Sequence, residues 1–257
     1  MSSDTHFDKA NDLFDHFSKL SKDKVDALKG NPKAVLDFID EYSEKNRMMT
    51  IGDLKGKIVY DEIVKKNPTI MLELGCYVGY SAIYFSQGLA STPNATYYSF
   101  EANERYAKIA QTFIDLAGLT DRIEIIVGKA GQTLEDFQQR LQQKFGKFTP
   151  ADFVFIDHWK DLYVPDLRVL ETLSLIAPGT VIAADNIYYP GAPEYVKYVQ
   201  SSPEQKRQYN YDHKNASNKK FLGRWNILYE TKTVEVDFPS GHRDAIEITK
   251  CTDYLNG

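Results

Sequence analysis

Two hydrophobic patterns alternate along most of the chain from about residue 69 onward. Short apolar runs such as "TIMLEL" (69–74) and "ADFVFID" (151–157) have the length and composition of strands. Longer segments such as "NERYAKIAQTFIDLAG" (103–118) repeat apolar residues at helical spacing. Strands that are apolar throughout and that alternate with helices are typical of a parallel sheet covered on both faces. The pattern therefore predicts an α/β fold with a doubly wound, mostly parallel, seven-stranded sheet.

The two ends of the chain depart from this alternation. Residues 1–45 place apolar residues at helical spacing and predict extra helices before the first strand. At the other end, "RWNILYETKTVEVDF" and "DAIEITKC" flank a turn at residues 239–241, and they predict a hairpin that adds a C-terminal antiparallel strand. No internal repeat or linker divides the chain, so residues 1–257 are predicted to form a single domain.

Two polar segments interrupt the pattern. "MMTIGDLKG" (48–56) is predicted to be a loop that precedes a helix from Gly56 to Lys66. Residues 201–223 are polar and rich in lysine, so the prediction is a solvated surface loop. A lid over the binding site is the alternative for this second segment.

Composition and charge narrow the class of protein. Apolar residues make up 42% of the chain and aromatic residues 13%, which is enough for a sizeable core. The net charge of −5 lacks the basic excess of a nucleic-acid-binding protein. The two cysteines, Cys76 and Cys251, cannot form a disulfide framework, and no basic leader or apolar run of ~18 residues is visible. We therefore expect a soluble, cytoplasmic monomer with no nucleic-acid or membrane partner.

The first predicted strand ends in a glycine turn, "LELGCYVGYS" (72–81). Glu73, Gly75 and Gly79 give the spacing E-x-G-x-x-x-G, not the G-x-G-x-x-G turn that lets a backbone approach a pyrophosphate. The next strand ends at Glu101, where a carboxylate can accept both hydroxyls of a ribose. This order favours S-adenosylmethionine over NAD, with Gly75 allowing close approach and Glu73 near the cationic amino-acid end of the cofactor.

Oxygen ligands follow the fourth and fifth predicted strands. Asp157 ends one, and Asp185 with Asn186 ends the other. Neighbouring parallel strands bring these ends together, and two carboxylates with an amide oxygen suit Mg²⁺. The alternative is structural: Asp185 and Asn186 only turn the chain, and Asp157 only caps a helix.

The residues after Asp157 add a base and aromatic groups. Lys160 lies in the same turn as Asp157, and a neighbouring divalent cation together with partial desolvation would favour its neutral form. It could then remove a proton from a phenol. Trp159 offers an indole plane for the adenine or for an aromatic substrate, with a core tryptophan as the alternative, and His158 is expected to hydrogen-bond the cofactor rather than act as a base.

Four stretches, "MMTIGDLKGKI", "MLELGCYVGYSA", "IDHWKDLYVPDL" and "ADNIYYPGAPEY", resemble the signature sequences of the catechol O-methyltransferase family in order and spacing. The resemblance covers about residues 34–198. It implies a Rossmann-like domain that transfers a methyl group from S-adenosylmethionine to one hydroxyl of a catechol with the help of Mg²⁺. Plant-type caffeoyl-CoA methyltransferases share the two aspartates and the asparagine but lack the His-Trp-Lys run.

The resemblance also assigns roles to residues. The implied cofactor contacts are Met49, Ile51, Glu73, Gly75, Tyr77, Ser81, Glu101, Ala102, Gln132, Asp157, His158 and Trp159. The implied Mg²⁺ ligands are Asp157, Asp185 and Asn186, and the implied general base is Lys160. The implied substrate contacts are Arg47, Met49, Trp159, Lys160, Asn186 and Pro190, together with a catalytic glutamate of the hairpin that holds the second hydroxyl, for which Glu230 is preferred and Glu235 is the rival.

Two departures from the family bear on these roles. Arg47 matches an indole gatekeeper, which favours catechols that carry a carboxylate, and Ala102 matches a longer side chain that lies on the adenine in mammalian members. Three alternatives stay open: a metal-dependent methyltransferase of another vicinal diphenol such as a caffeoyl-type compound, a non-catalytic S-adenosylmethionine-binding module, and a nucleotide-linked oxidoreductase.

Overall fold

The computed structural model describes the backbone of residues 3–255 and the side chains of residues 9–255. The helices are α1 (Ser3–Ser18), α2 (Lys22–Leu28), α3 (Pro32–Asn46), α4 (Gly52–Lys66), α5 (Tyr80–Ser86), α6 (Glu104–Leu116), α7 (Ala130–Phe145), α8 (Tyr163–Thr172), α9 (Pro193–Gln200) and α10 (Pro203–Asp212). The strands are β1 (Ile70–Leu74), β2 (Thr96–Glu101), β3 (Ile123–Val127), β4 (Phe153–Ile156), β5 (Val181–Ala184), β6 (Ile227–Asp237) and β7 (Arg243–Tyr254). Single helical turns cover Gln87–Leu89, Lys160–Leu162 and Ile187–Gly191.

The seven strands form one sheet in the order β3-β2-β1-β4-β5-β7-β6. Neighbouring strands from β3 to β5 are parallel, whereas β7 runs antiparallel to both β5 and β6. The central strands β1 and β4 are buried at every position, as expected for strands that helices cover on both faces. The predicted fold, with its C-terminal antiparallel strand, is confirmed.

Side chains on the two faces of the sheet belong to two separate hydrophobic clusters. Met71 and Phe155 point to one face and Leu72 and Val154 to the other, because successive residues of a strand alternate. The first cluster also contains Leu13, Val35 and Ile39, so the predicted N-terminal helices pack against that face. No helix within residues 3–255 is both long enough and apolar enough to cross a membrane.

Helix α4 begins earlier than the hydrophobic pattern predicts. It starts at Gly52, within the segment predicted to be a loop, and Asp53 lies in its first turn. A carboxylate there is favourable because it faces the positive end of the helix dipole. The early start places Lys55 inside the helix, buried against the sheet.

The predicted loop at residues 201–223 is wrong for its first half, which is helix α10. Ser202 accepts a hydrogen bond from Gln205 N, and the Gln205 side chain accepts one from Ser202 N, so the helix starts with a capping box. The sequence "SPEQ" carries this signal together with a proline at the first helical position. The polar composition of the segment obscured it.

Candidate active site

The carboxyl ends of β1, β2, β4 and β5 lie side by side at one edge of the sheet. Leu74 of β1 pairs with Phe100 of β2 and with Ile156 of β4. Beyond the strands, Asp157 N donates to Leu74 O and Asp185 N donates to Ile156 O, each at 3.0 Å. We call this edge the rim; it comprises residues 75–79, 101–103, 157–160 and 185–186.

Gly75 brings the turn after β1 against the end of β4. Its φ of +101° is in a region that side chains other than glycine rarely adopt. A Cβ added to Gly75 would also lie 2.6 Å from the carbonyl oxygen of Asp157. Both the backbone conformation and the close approach therefore require glycine here.

Glu101 ties the end of β2 to this glycine turn. Its Oε2 accepts hydrogen bonds from Cys76 N at 3.1 Å and Tyr77 N at 2.9 Å, and its Oε1 accepts one from Asn103 N at 2.8 Å. Burial raises the pKa of Glu101, and the three backbone donors oppose that shift. The carboxylate is thus fixed at the rim, where the sequence predicts a ribose contact.

Glu73 lies lower, inside the sheet. It is fully buried, and its two carboxyl oxygens accept hydrogen bonds from Ser81 Oγ and Ser99 Oγ, each at 2.5 Å. Burial raises the pKa of Glu73 to about 7, although both serine hydroxyls act in the opposite direction. Ser81, itself a predicted cofactor contact, lies in the first turn of α5 and so links Glu73 to the helix that follows the glycine turn.

The remaining predicted cofactor residues surround the same turn. Tyr77 lies edge-on to Tyr106, with ring centroids 5.1 Å apart, and its hydroxyl contacts Met48 Sδ at 3.9 Å. That contact brings the segment with Arg47, Met49 and Ile51 beside the glycine turn. Met49 and Arg47 are exposed, whereas Ile51 is buried. Ala102, which follows the last residue of β2, is exposed. Gln132, in the first turn of α7, is exposed as well.

His158 is held by a carboxylate that the sequence analysis does not identify. Its Nε2 lies 2.8 Å from Asp166 Oδ2, and its ring stacks on Tyr163 with centroids 5.3 Å apart. Asp166 lies in the first turn of α8, and its side chain is buried. Trp159, by contrast, is 70% exposed, which excludes the alternative of a core tryptophan.

Lys160 connects the ends of β4 and β5. Its Nζ donates to Asp157 Oδ1 at 3.1 Å and to Asn186 Oδ1 at 2.8 Å. It also donates to Tyr163 Oη at 2.6 Å, and Tyr163 in turn donates to the carbonyl of Asp185 at 3.1 Å. The base and two of the three predicted metal ligands are therefore within reach of a single point on the rim.

Asp185 has a second lysine on its other side, which the sequence prediction missed. Lys55 Nζ lies 2.6 Å from Asp185 Oδ1 and 2.9 Å from Asp244 Oδ2, and all three side chains are buried. Burial alone would lower the pKa of Lys55, but the two carboxylates outweigh it and raise that pKa. Lys55 therefore keeps its charge inside the protein.

Asp244 is a second residue that the sequence prediction missed. Its Oδ1 accepts from Tyr188 N and Tyr189 N at 3.1 Å, and its Oδ2 accepts from Asn186 Nδ2 at 3.3 Å. It thereby orients the amide of Asn186 and holds the turn that leads to Pro190. The only signal for it in the sequence is a carboxylate at the start of an alternating strand, which is common at strand ends.

The donor set fits a hard divalent cation. Within residues 9–255, no three His, Cys, Asp or Glu side chains form a cluster that could hold a metal ion, so the predicted set depends on the amide oxygen of Asn186. Burial raises the pKa of Asp185, the charge of Asp157 raises it further, and Lys55 opposes both. Two carboxylates that repel each other at a rim lined with oxygen atoms are stabilised by a divalent cation.

Glu230 does not belong to this site. It pairs with Lys250, which also pairs with Val181 at the start of β5, so Glu230 lies at the opposite end of the sheet. The prediction of Glu230 as the hairpin glutamate is wrong because sequence spacing alone does not fix the register of a long hairpin. Glu235 lies near the rim instead, where its Oε1 accepts a hydrogen bond from Tyr188 Oη at 2.7 Å.

Comparison with known proteins agrees with this geometry. Residues 31–219 match the family described as O-methyltransferase. The chain belongs to the O-methyltransferase family. Catechol O-methyltransferases from Bos taurus and Mus musculus are 40% and 42% identical to it over 177 residues, which is 68% of this chain and 62% and 64% of theirs. Catechol O-methyltransferase B from Danio rerio is 38% identical over 191 residues, 74% of this chain and 70% of that protein.

The chain therefore spans less than two thirds of the bovine and mouse relatives. Solved structures share the fold of this chain. An O-methyltransferase from Bacillus cereus in complex with SAH aligns with a TM-score of 0.57 at 23% identity, covering 84% of this chain and 90% of that one. An O-methyltransferase of tomaymycin synthesis from Streptomyces achromogenes, in complex with SAM, aligns with a TM-score of 0.58 at 19% identity, covering 85% and 89%.

Proposed function

We propose that this O-methyltransferase transfers a methyl group from S-adenosylmethionine to one hydroxyl of a catechol in a Mg²⁺-dependent reaction. The observation that carries the proposal is the position of Lys160, whose Nζ contacts both Asp157 and Asn186. A base beside oxygen donors of the type that Mg²⁺ prefers is what methylation of a chelated diol requires. The similarity to catechol O-methyltransferases supports the same substrate class.

Lys160 is the proposed general base. Tyr163 and Asn186 fix its Nζ at the rim, where it can take the proton from the catechol hydroxyl that becomes methylated. Its side chain is largely buried. Removal of the proton leaves an oxygen that can attack the methyl carbon in line with the departing sulfur.

Asp157, Asp185 and Asn186 are the proposed ligands of the metal. When bound, Mg²⁺ would lower the pKa of the catechol hydroxyl and fix both substrate oxygens. Lys55 and Asp244 act behind these ligands, since they orient the Asp185 carboxylate and the Asn186 amide. Positioning of both reactants by such groups can contribute about 7–11 kcal/mol to the lowering of the barrier.

Glu235 takes the place that the sequence prediction gave to Glu230. It is linked through Tyr188 to Asp244 and hence to Asn186, which supports a role in accepting a hydrogen bond from the second catechol hydroxyl.

Arg47 is exposed at the end of α3, beside Met48 and Met49. An exposed cation there supports a catechol that carries a carboxylate as the preferred substrate.

We also propose, on the basis of composition alone, that the protein is a cytoplasmic monomer without nucleic-acid or membrane partners.

The direct test is a product screen by mass spectrometry. Simple catechols, carboxylate-bearing catechols, caffeoyl esters and single phenols are incubated with S-adenosylmethionine, with Mg²⁺ and with EDTA. We expect methylated catechols only with Mg²⁺ and the highest rate for the acidic catechols. Full activity in EDTA would contradict the metal role, and methylation of single phenols at the same rate would contradict the chelated diol. Cofactor binding without any product would favour a non-catalytic module.

A further inference from the structure

The segment between α10 and β6, residues 213–223, covers the first turn of α7. A Cβ added to Gly131 would lie 2.5 Å from Ser217 Cβ, 3.0 Å from Asp166 Oδ1 and 3.2 Å from Ser217 Oγ. The backbone of Gly131 has no conformation that requires glycine, so the requirement is spatial. Ser217 occupies the space that a side chain at position 131 would fill.

This contact is built into the fold rather than made by a loose loop. Asn215 is 2% exposed, and its amide nitrogen donates to the carbonyls of Pro165 and Phe221 at 2.9 and 2.8 Å. Its amide oxygen accepts a hydrogen bond from Ser217 N at 2.9 Å. Farther along the segment, Lys220 forms an ion pair with Glu135 of α7. Ser217 is therefore held in a defined position against α7 and α8.

Two polar atoms at this contact, Ser217 Oγ and Asp166 Oδ1, are buried and have no hydrogen-bond partner. A third such atom, Nδ1 of His158, lies on a ring that Asp166 contacts, and within residues 9–255 there are seven in all. Asp166 connects them, since its other oxygen contacts His158 Nε2 at 2.8 Å. An unsatisfied buried polar atom costs about 1–3 kcal/mol. Two unsatisfied atoms at one contact, linked through Asp166 to the ring of His158, indicate that a ligand completes their hydrogen bonds.

The position of the cluster identifies the part of the cofactor that it would face. Glu101 at the end of β2 is the proposed ribose contact, and Gly128 N donates to Glu101 O at 2.8 Å just before α7 begins. A base attached to that ribose must extend between the first turn of α7 and the end of β4. Gln132 lies in the first turn of α7 and His158 lies just after β4, and both are predicted cofactor contacts.

We propose that Ser217 determines specificity for the adenine of S-adenosylmethionine by accepting a hydrogen bond from its exocyclic amine. The inference rests on the proposed use of S-adenosylmethionine and gives segment 213–223 a function as part of the cofactor pocket. It also explains why residue 131 is glycine.

The test is a comparison of two ligands by isothermal titration calorimetry. S-Adenosylhomocysteine carries the amine, whereas S-inosylhomocysteine carries a carbonyl oxygen in its place. For Ser217→Ala we expect the Kd of S-adenosylhomocysteine to rise about 3- to 10-fold, as for the loss of one hydrogen bond. The wild-type preference for the adenosyl ligand should fall by the same factor. Ser201→Ala is the matched control, because the Ser201 hydroxyl already donates to Lys197 O in the same polar segment.

Two results would overturn the proposal. One is a Ser217→Ala protein with both affinities unchanged. The other is an equal loss of affinity for the two ligands, which would mean that Ser217 only shapes the fold. If the wild-type protein bound neither ligand, the proposed cofactor itself would be contradicted, and that outcome is distinct from a loss confined to the variant.

Discussion

Two buried lysines, Lys55 and Lys206, have opposite surroundings. Lys55 is 6% exposed and lies between Asp185 and Asp244. Lys206 is 1% exposed, and its ammonium donates to the carbonyl of Ile227 and lies over the ring of Tyr229 at 4.4 Å. The pKa of Lys55 is raised, whereas burial lowers the pKa of Lys206 despite the charge of Glu171.

The difference separates the rim, which is the proposed active site, from a structural cluster around Lys206. At the rim, carboxylates are close enough together to keep a buried ammonium charged, which is the kind of charge density that a metal site needs. Around Lys206, the carboxyl of Glu171 is satisfied by the hydroxyls of Tyr198 and Tyr229 at 2.8 Å and by Arg224 N at 3.0 Å. That second cluster joins α8, α9, α10 and β6, and it stabilises the C-terminal part of the fold.

The largest effect on stability is expected for Lys55→Met. Removal of the ammonium leaves Asp185 and Asp244 buried without a counter-charge, which typically costs about 3–5 kcal/mol. Urea unfolding with an unchanged m-value would measure the loss. Lys57→Met is the matched control on the same helix, because Lys57 is exposed and pairs with Asp61 at the surface. Equal stability of the two variants would mean that the carboxylates at the rim do not depend on Lys55.

A smaller effect is expected for Lys206→Met. Methionine loses one hydrogen bond to a carbonyl and the cation–π contact with the Tyr229 ring, so the cost should be about 1–2 kcal/mol. Thermal or urea unfolding would measure it beside Lys55→Met. A loss as large as that of Lys55→Met would contradict the distinction between a paired and an unpaired buried lysine.

The smallest effect is the pH dependence of these two variants. Because the pKa of Lys206 is lowered by folding, the unfolded chain binds more protons between that pKa and 10.5, and this residue makes stability rise with pH in that range. Lys55 has a raised pKa, so its contribution is complete below 10.5 and is lost only as pH rises through the higher value. Urea unfolding between pH 7 and 10 should therefore show a stability difference between wild type and Lys206→Met that changes with pH. A difference for Lys206→Met that stays constant over this range would contradict the lowered pKa of Lys206.

The sequence predicted the sheet well because the pattern of buried strands depends on local composition. "TIMLEL" and "ADFVFID" are apolar enough to be recognised without tertiary information, and the residues that follow them are placed at one rim by the parallel arrangement. Asp157, Lys160, Asp185 and Asn186 could thus be brought together from the sequence. Contacts between distant segments could not. Lys55 is 130 residues from Asp185 and 189 from Asp244, and no local pattern joins them.

The hairpin shows a second limit. Its strands β6 and β7 could be recognised from their alternation, but the choice between Glu230 and Glu235 depends on which residues pair across a turn. The structure pairs Glu235 with Ala245 near the rim and Glu230 with Lys250 at the far end. Five residues of strand separate the two glutamates, which corresponds to roughly 17 Å. A small error in the assumed register therefore moves a predicted contact out of the site altogether.

The most direct test of the proposed site is the turnover number of Lys160→Met with a catechol and Mg²⁺. Loss of a general base should lower kcat about 10²- to 10⁴-fold, while the affinity for S-adenosylhomocysteine stays close to that of the wild type. Lys206→Met serves as the comparison, because it removes a buried lysine far from the rim and should retain the wild-type kcat. A Lys160→Met enzyme with undiminished kcat at neutral pH would contradict the role of Lys160 and the reaction proposed for this rim.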